Sequence, residues 1–133
     1  MYFLAGINAS AGDIHRDDAK TGELMNQLIA TTGVDILFVT FGKDGCRWQG
    51  KAGAGCFDSI KVKPIDTTGA GDCFMAGVLY EFLGTGKEPA ALTSDDYRLM
   101  ARRGITSGSL STETRGGIPS IPSLSTVSSR LPA

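Results

Sequence analysis

Histidine occurs once, at position 15, and cysteine three times, at 46, 56 and 73. One histidine in a polar stretch leaves a histidine metal site or a Ser-His-Asp triad resting on a single residue, so His15 reads as a surface side chain. The odd cysteine count, with no CxxC spacing, argues against a disulfide framework and a structural zinc site. Neither charge sign dominates: 13 Lys and Arg face 14 Asp and Glu, for a net charge of -1. That balance points neither to nucleic acid nor to a strongly acidic partner. No apolar run approaches the ~20 residues of a membrane span. The apolar opening at 1–7 lacks the basic residues that precede a signal-peptide core. A cytoplasmic protein with reduced thiols is expected.

What is present suits one globular unit. The 133 residues are 41% hydrophobic and 20% charged, and a chain of this length can bury about 68% of its unfolded surface. The spacing predicts a helix over 17–32, with Leu24, Leu28 and Thr31 on one face, Met25 and Ile29 beside them, and Gly33 as its stop. Residues 34–39 form a β-branched apolar run too short for a good helix, which predicts a buried central strand. A turn follows at 41–45. Further strands are expected at 46–48 and 57–62, joined by a flexible glycine-rich connection at 50–55. A helix after position 72 would carry Phe74, Val78, Leu79, Phe82 and Leu83 on one side and end at Gly84 and Gly86. Another begins near 93–96 with Ser94 as N-cap and runs to about 110, weakened by Gly104 and Gly108. The Ser- and Pro-rich tail is expected to lose order from 128 onward. Helix alternating with buried strand indicates an α/β fold.

The chemistry concentrates at Asp66-Thr67-Thr68-Gly69-Ala70-Gly71-Asp72. A glycine turn that opens a helix binds anions, because the first helical amides lack intrahelical acceptors and the helix dipole adds positive charge. Gly69, Ala70 and Gly71 have little or no side chain to screen those amides. A carboxylate at 72 repels a phosphate, so it makes sense there as the acceptor of a proton from an attacking hydroxyl. Read alone, Gly-Ala-Gly-Asp also fits a tight turn with an aspartate cap. No GxxxxGK[ST] occurs, and Gly69-Ala70-Gly71 lacks the third glycine of a dinucleotide fingerprint.

Over its whole length the string from Asp66 to Gly77 resembles the second signature of the PfkB, ribokinase-type sugar kinases. Val39-Thr40-Phe41-Gly42-Lys43-Asp44-Gly45 is similar to the family's strand and turn before the nucleotide. Arg115-Gly116-Gly117-Ile118-Pro119-Ser120-Ile121-Pro122 is similar to its closing segment. The resemblance covers about 20–125. It implies the C-terminal part of a doubly wound, mostly parallel sheet flanked by helices, as a single partial ribokinase-like domain. It further implies Asp72 as catalytic base, and Gly69, Ala70 and Gly71 as holders of the transferring phosphoryl group. Thr40, Gly42, Gly45 and Ile105 would lie along the nucleotide; Ile105 stands where family members often have the asparagine beside adenine. Asp66 and Thr68, with Ser111, Thr114, Gly116 and Ser120, would surround a monovalent cation such as K+. ATP and Mg2+ are the expected cofactors, and a small sugar or sugar acid the acceptor, with a fructokinase-like leaning from the Gly116-Gly117-Ile118-Pro119 tail. A nucleoside or vitamin-like alcohol is a further acceptor class that the signature admits. The family's N-terminal half, with its sugar-binding residues and lid, is not visible here. The resemblance therefore implies a kinase incomplete as this chain, a homo-oligomer or a partner of that missing half. The alternative is a non-catalytic nucleotide- or anion-binding remnant, or a dimerising module.

Overall fold

The structure, a computed structural model, describes residues 14–133, so the apolar opening at 1–7 lies outside the described residues. Helix α1 spans Ala19–Thr32 and ends on Gly33 in the left-handed region at φ 72°. Three strands follow, β1 Ile36–Thr40, β2 Cys46–Gly50 and β3 Gly53–Phe57. They pair antiparallel in the order β1-β2-β3, with Phe38 opposite Trp48 and Trp48 opposite Gly55. Helices α2 Ala70–Thr85, α3 Ser94–Ser111 and α4 Leu124–Arg130 complete the described chain.

β2 sets the layers. Cys46 and Trp48 are buried among Phe74, Val78, Leu92, Tyr97, Met100, Ala101 and Ile105, which come from α2, α3 and the turn between them. The alternate residues Arg47 and Gln49 face α1. Arg47 donates to the carbonyls of Arg16 and Asp18 at 3.0 and 2.9 Å, and Gln49 donates to Asn26 on α1. The sheet thus lies between α1 and the α2–α3 pair, the three-layer arrangement of α/β folds. Burial also pushes the Cys46 thiol up to about 12.

Several elements differ from the sequence expectation for identifiable reasons. The strand pairings among the described residues are antiparallel rather than parallel, because consecutive strands joined by short turns can pair no other way. β1 is half-buried along its length, not fully buried, since it is an edge strand of this sheet. The third strand starts at Gly53, inside the stretch expected to be a flexible connection, and stops at Phe57. Its glycines are packing requirements: a Cβ on Gly55 would sit 2.4 Å from the Trp48 ring. On α1 the buried residues are Thr21, Gly22, Met25 and Leu28, while Thr31 is exposed. The cap of α3 is Thr93, not Ser94. Asp96 N donates to Thr93 Oγ1 at 3.2 Å, and Thr93 N donates to Asp96 Oδ2 at 2.8 Å, a reciprocal box that Ser94 cannot close. Residues 128–130 continue α4, which Ser123 caps and the buried Val127 anchors.

Glycine fixes how closely α2 and α3 approach. A Cβ on Gly77 would lie 2.8 Å from the Arg103 carbonyl oxygen and from Ser107 Oγ, one on Gly104 2.8 Å from Val78, and one on Gly108 3.0 Å from the Ala70 carbonyl oxygen. These contacts run the helices antiparallel, with the start of α2 beside the end of α3. Gly84, on the same helix as Gly77, has open space where its Cβ would go. We expect Gly77→Ala to lower stability by about 1–3 kcal/mol through overpacking against backbone. Gly84→Ala should raise it by up to about 1 kcal/mol, as the helix propensities require. Urea denaturation of the two variants, read against the parent, checks both signs.

Candidate active site

The glycine loop is held by the end of α3. The amides of Ile65 and Asp66 both donate to the Thr112 carbonyl, at 2.7 and 3.1 Å. Asp66 then turns its carboxylate across the loop. Oδ1 accepts from Thr68 N at 2.9 Å and from Thr68 Oγ1 at 2.7 Å, while Oδ2 accepts from Gly116 N at 2.9 Å. One side chain therefore joins the loop before α2 to the segment after α3. The hydrogen bond from Gly116, followed by those from Thr68, holds the Asp66 carboxyl well below its ordinary 3.8, at about 2.

From Asp66 the chain reaches Gly69 in the left-handed region at φ 79°, which serves as N-cap of α2 without a side-chain bond. Ala70 N donates to Thr67 O at 3.2 Å and Cys73 N to Gly69 O at 2.9 Å. The amides between them, of Gly71 and Asp72, belong to the first turn and have no carbonyl one turn back within the helix. A Cβ on Gly71 would meet nothing within 4 Å, so space is open in front of this turn. Asp72 is exposed in the same turn. It is not the cap, because Gly69 occupies that position. Its neighbour Cys73 is buried and faces away from solvent.

Of the residues expected around a cation, Asp66, Thr68 and Gly116 are brought into direct contact. Ser111 and Ser120 are buried nearby in the chain, but their hydroxyls donate to the carbonyls of Gly108 at 2.8 Å and Gly117 at 2.7 Å. Thr114 is exposed in the connecting loop. Among the described residues no cluster of three or more His, Cys, Asp or Glu side chains could hold a metal. The donor set here is oxygen only, as hard cations prefer. Asp66 Oδ2 keeps one lone pair beyond the bond from Gly116.

The residues expected along the nucleotide separate into three situations. Thr40 and Gly42 line a cleft of about 810 Å³ together with His15, Arg16, Lys43 and Ser59. Gly42 has φ 56° and open space at its Cβ position. Gly45 is a structural requirement: at φ 89° its Cβ would stand 2.0 Å from the Phe57 carbonyl oxygen. Ile105 is buried. It is 5% exposed and belongs to the core, because Gly104 beside it draws α3 onto α2. Residues 69–72 are not part of the cleft's lining.

The cleft has a charged wall that the local sequence pattern does not announce. Arg16 pairs with Asp17 through Nε at 3.0 Å and with Asp58, and donates to the Asp44 carbonyl at 2.6 Å. Those carboxylates raise its affinity for its proton above the usual arginine value. The run Arg16-Asp17-Asp18 was the available signal, but its partner Asp58 lies 42 positions away.

A profile of pfkB family carbohydrate kinases matches residues 5–124. Fructokinase-1 of Zea mays is 34% identical over 124 residues, which is 92% of this chain and 34% of that protein. A fructokinase double mutant from Vibrio cholerae, solved with fructose, ADP and potassium ion bound, superposes with a TM-score of 0.68 at 25% identity, over 84% of this chain and 34% of that one. Ribokinase from Thermotoga maritima gives a TM-score of 0.65 at 26% identity, over 80% and 33%. The chain spans 22–34% of the length of eight curated relatives it matches.

The state of Asp66 generates an acid-stability signature. Its folded value lies below its unfolded one, so its contribution is complete above about pH 4 and is lost as pH falls through about 2. Thermal midpoints measured from pH 5 to pH 2 should fall for the parent. Asp66→Asn should be less stable at pH 7 and show a flatter decline across that window, since the amide keeps one acceptor oxygen but no charge.

Proposed function

Because the chain belongs to the pfkB family of carbohydrate kinases, we propose that its 66–72 loop serves ATP-dependent phosphoryl transfer to a sugar hydroxyl, with Asp72 as the base. The observation that carries this reading is the placement of an exposed Asp72 in the first turn of α2, beside open space at Gly71 and behind the left-handed Gly69. In that arrangement the acceptor hydroxyl gives its proton to the Asp72 carboxylate. Its oxygen bonds to the γ-phosphorus, the bond from that phosphorus to the bridging oxygen breaks, and ADP leaves. The amides of Gly71 and Asp72 stabilise the charge spread over the transferring group. Magnesium bound to the nucleotide phosphates neutralises further charge. Asp66, Thr68 and the 116–120 segment hold the loop in register and offer oxygens to a monovalent cation. Thr40 and Gly42 contact the nucleotide from the cleft.

Fructose is the acceptor to test first, because the maize and Vibrio relatives are both fructokinases. The chain spans about a third of its relatives, so the 133 residues alone should turn over far below the ~10 per second typical of enzymes. A coupled ADP assay with fructose, ribose and 2-keto-3-deoxygluconate at saturating ATP measures this directly.

The base assignment is tested in a chimera. Residues 20–133 are spliced onto the N-terminal part of the maize fructokinase, and turnover of fructose is followed. Asp72→Asn should cut the rate by about 10²- to 10⁴-fold while leaving the melting temperature nearly unchanged, since Gly69 rather than Asp72 caps the helix. Retention of more than about half the activity would make Asp72 a spectator.

A further inference from the structure

The cleft of about 810 Å³ is built from three separate stretches of chain, 14–18, 40–44 and 58–59. One side chain bonds to all three. The Arg16 guanidinium holds Asp17 within its own stretch, through Nε at 3.0 Å and Nη2 at 3.1 Å. Its Nη1 donates to the Asp44 carbonyl at 2.6 Å and to the Asp58 carboxylate, 28 and 42 positions along the chain. The turn at 42–44 is closed on itself, with Phe41 N donating to Gly45 O at 2.8 Å and Gly45 N to Gly42 O at 3.1 Å. Asp44 offers its carbonyl outward, to Arg16.

Arg16 is itself held from behind. Arg47 on β2 donates to the carbonyls of Arg16 and Asp18 at 3.0 and 2.9 Å, and the buried Thr21 hydroxyl donates to the His15 carbonyl at 2.6 Å. Gly22 on α1 makes room for this, since a Cβ there would stand 2.5 Å from Arg47 Nη2. Two considerations separate this arrangement from an anion site and from a stability staple. Asp17 and Asp58 already balance the Arg16 charge, so the residue has little left for a phosphate. Their side chains are 71 and 86% exposed, and ion pairs so open to water add little to stability. What remains is geometry: a rigid planar fork with five donors keeps several partners in register, which a point charge on a flexible stem does not.

We propose that Arg16 is a positioning residue of the nucleotide cleft: its fork fixes the spacing between the 42–44 turn and Asp58, and with it the fit of the nucleotide. The proposal rests on the reading above that Thr40 and Gly42 contact the nucleotide from this cleft. Residues 69–72 lie outside the cleft's lining, so Arg16 bears on nucleotide affinity and not on the transfer step. Arg47 acts one step further back, through the carbonyls of Arg16 and Asp18.

Fluorescence titration of the full chain with N-methylanthraniloyl-ADP and magnesium, alongside amide NMR spectra, tests this. The parent should bind the probe and shift the amide signals of Gly42 and Gly45. Arg16→Gln should weaken binding by about tenfold or more, the scale of one lost charge-assisted hydrogen bond. Arg16→Lys keeps the charge without the fork and should not restore the affinity. Asp58→Ala removes one of the partners and should weaken binding by about threefold. Circular dichroism and thermal midpoints of the variants should stay close to the parent's. Parent-level affinity in Arg16→Gln, or full rescue by Arg16→Lys, overturns the proposal. So does a parent chain that binds no probe, or binds it without moving Gly42 and Gly45. If Arg16→Gln fails to fold, Asp58→Ala decides, and unchanged affinity there overturns the proposal. Binding is read without turnover, so it stands apart from the base assignment. Affinity lost in Arg16→Gln, together with an Asp72→Asn chimera that keeps its rate, upholds the role of Arg16 and refutes that of Asp72.

Discussion

The close approach of α2 and α3 governs the rest of this structure. It exists because Gly77, Gly104 and Gly108 leave room where any Cβ would strike backbone or ring atoms of the facing helix. Close packing of this kind tolerates no added methylene without a backbone shift. It seals Phe74, Val78 and Ile105 into one core with Trp48 and Cys46. It also aligns the start of α2 with the end of α3, so that Thr112 can accept from both Ile65 and Asp66. The loop is therefore positioned from behind, by two helices that meet through glycine.

Asp66 completes what the helix pair begins. Its three hydrogen bonds fasten the loop before α2 to Gly116 beyond α3. Charge-assisted bonds of this kind are stronger than neutral ones. Two aspartates six residues apart thus have separate duties. Asp66 is spent on geometry, while Asp72, in the first turn, stays open to solvent.

The 66–72 loop was legible as a glycine turn opening a helix because its parts are local: glycine, a following helix and an acid at a fixed offset all sit within a dozen residues. Helices were legible for the same reason, through periodicity and the stop at Gly33. Other features depended on tertiary packing that the linear pattern does not show. Gly53 and Gly55 looked like a flexible connection because nothing nearby announces that Trp48 lies over Gly55. Leu79 and Leu83, exposed on α2, looked like core because periodicity finds an apolar face without saying whether anything covers it. Ile105 was set beside a ligand by its place in a motif, whereas the neighbouring Gly104 draws it inward. The bond between Asp66 and Gly116 spans 50 positions, and only the tertiary fold reveals it.

The pairing pattern bears on how the chain reaches its native state. β1, β2 and β3 join only their immediate successors, and α2 meets α3, the next long helix in sequence. Contacts between near neighbours close small loops at low entropic cost and favour rapid folding. The meander and the helix pair can each condense on their own, early and in parallel. The ties from Ile65 and Asp66 to Thr112 and Gly116 close loops of about 50 residues and must wait for both halves. The 66–72 loop is then among the last parts to acquire its shape, so the timing of assembly, as well as its energetics, converges on Asp66.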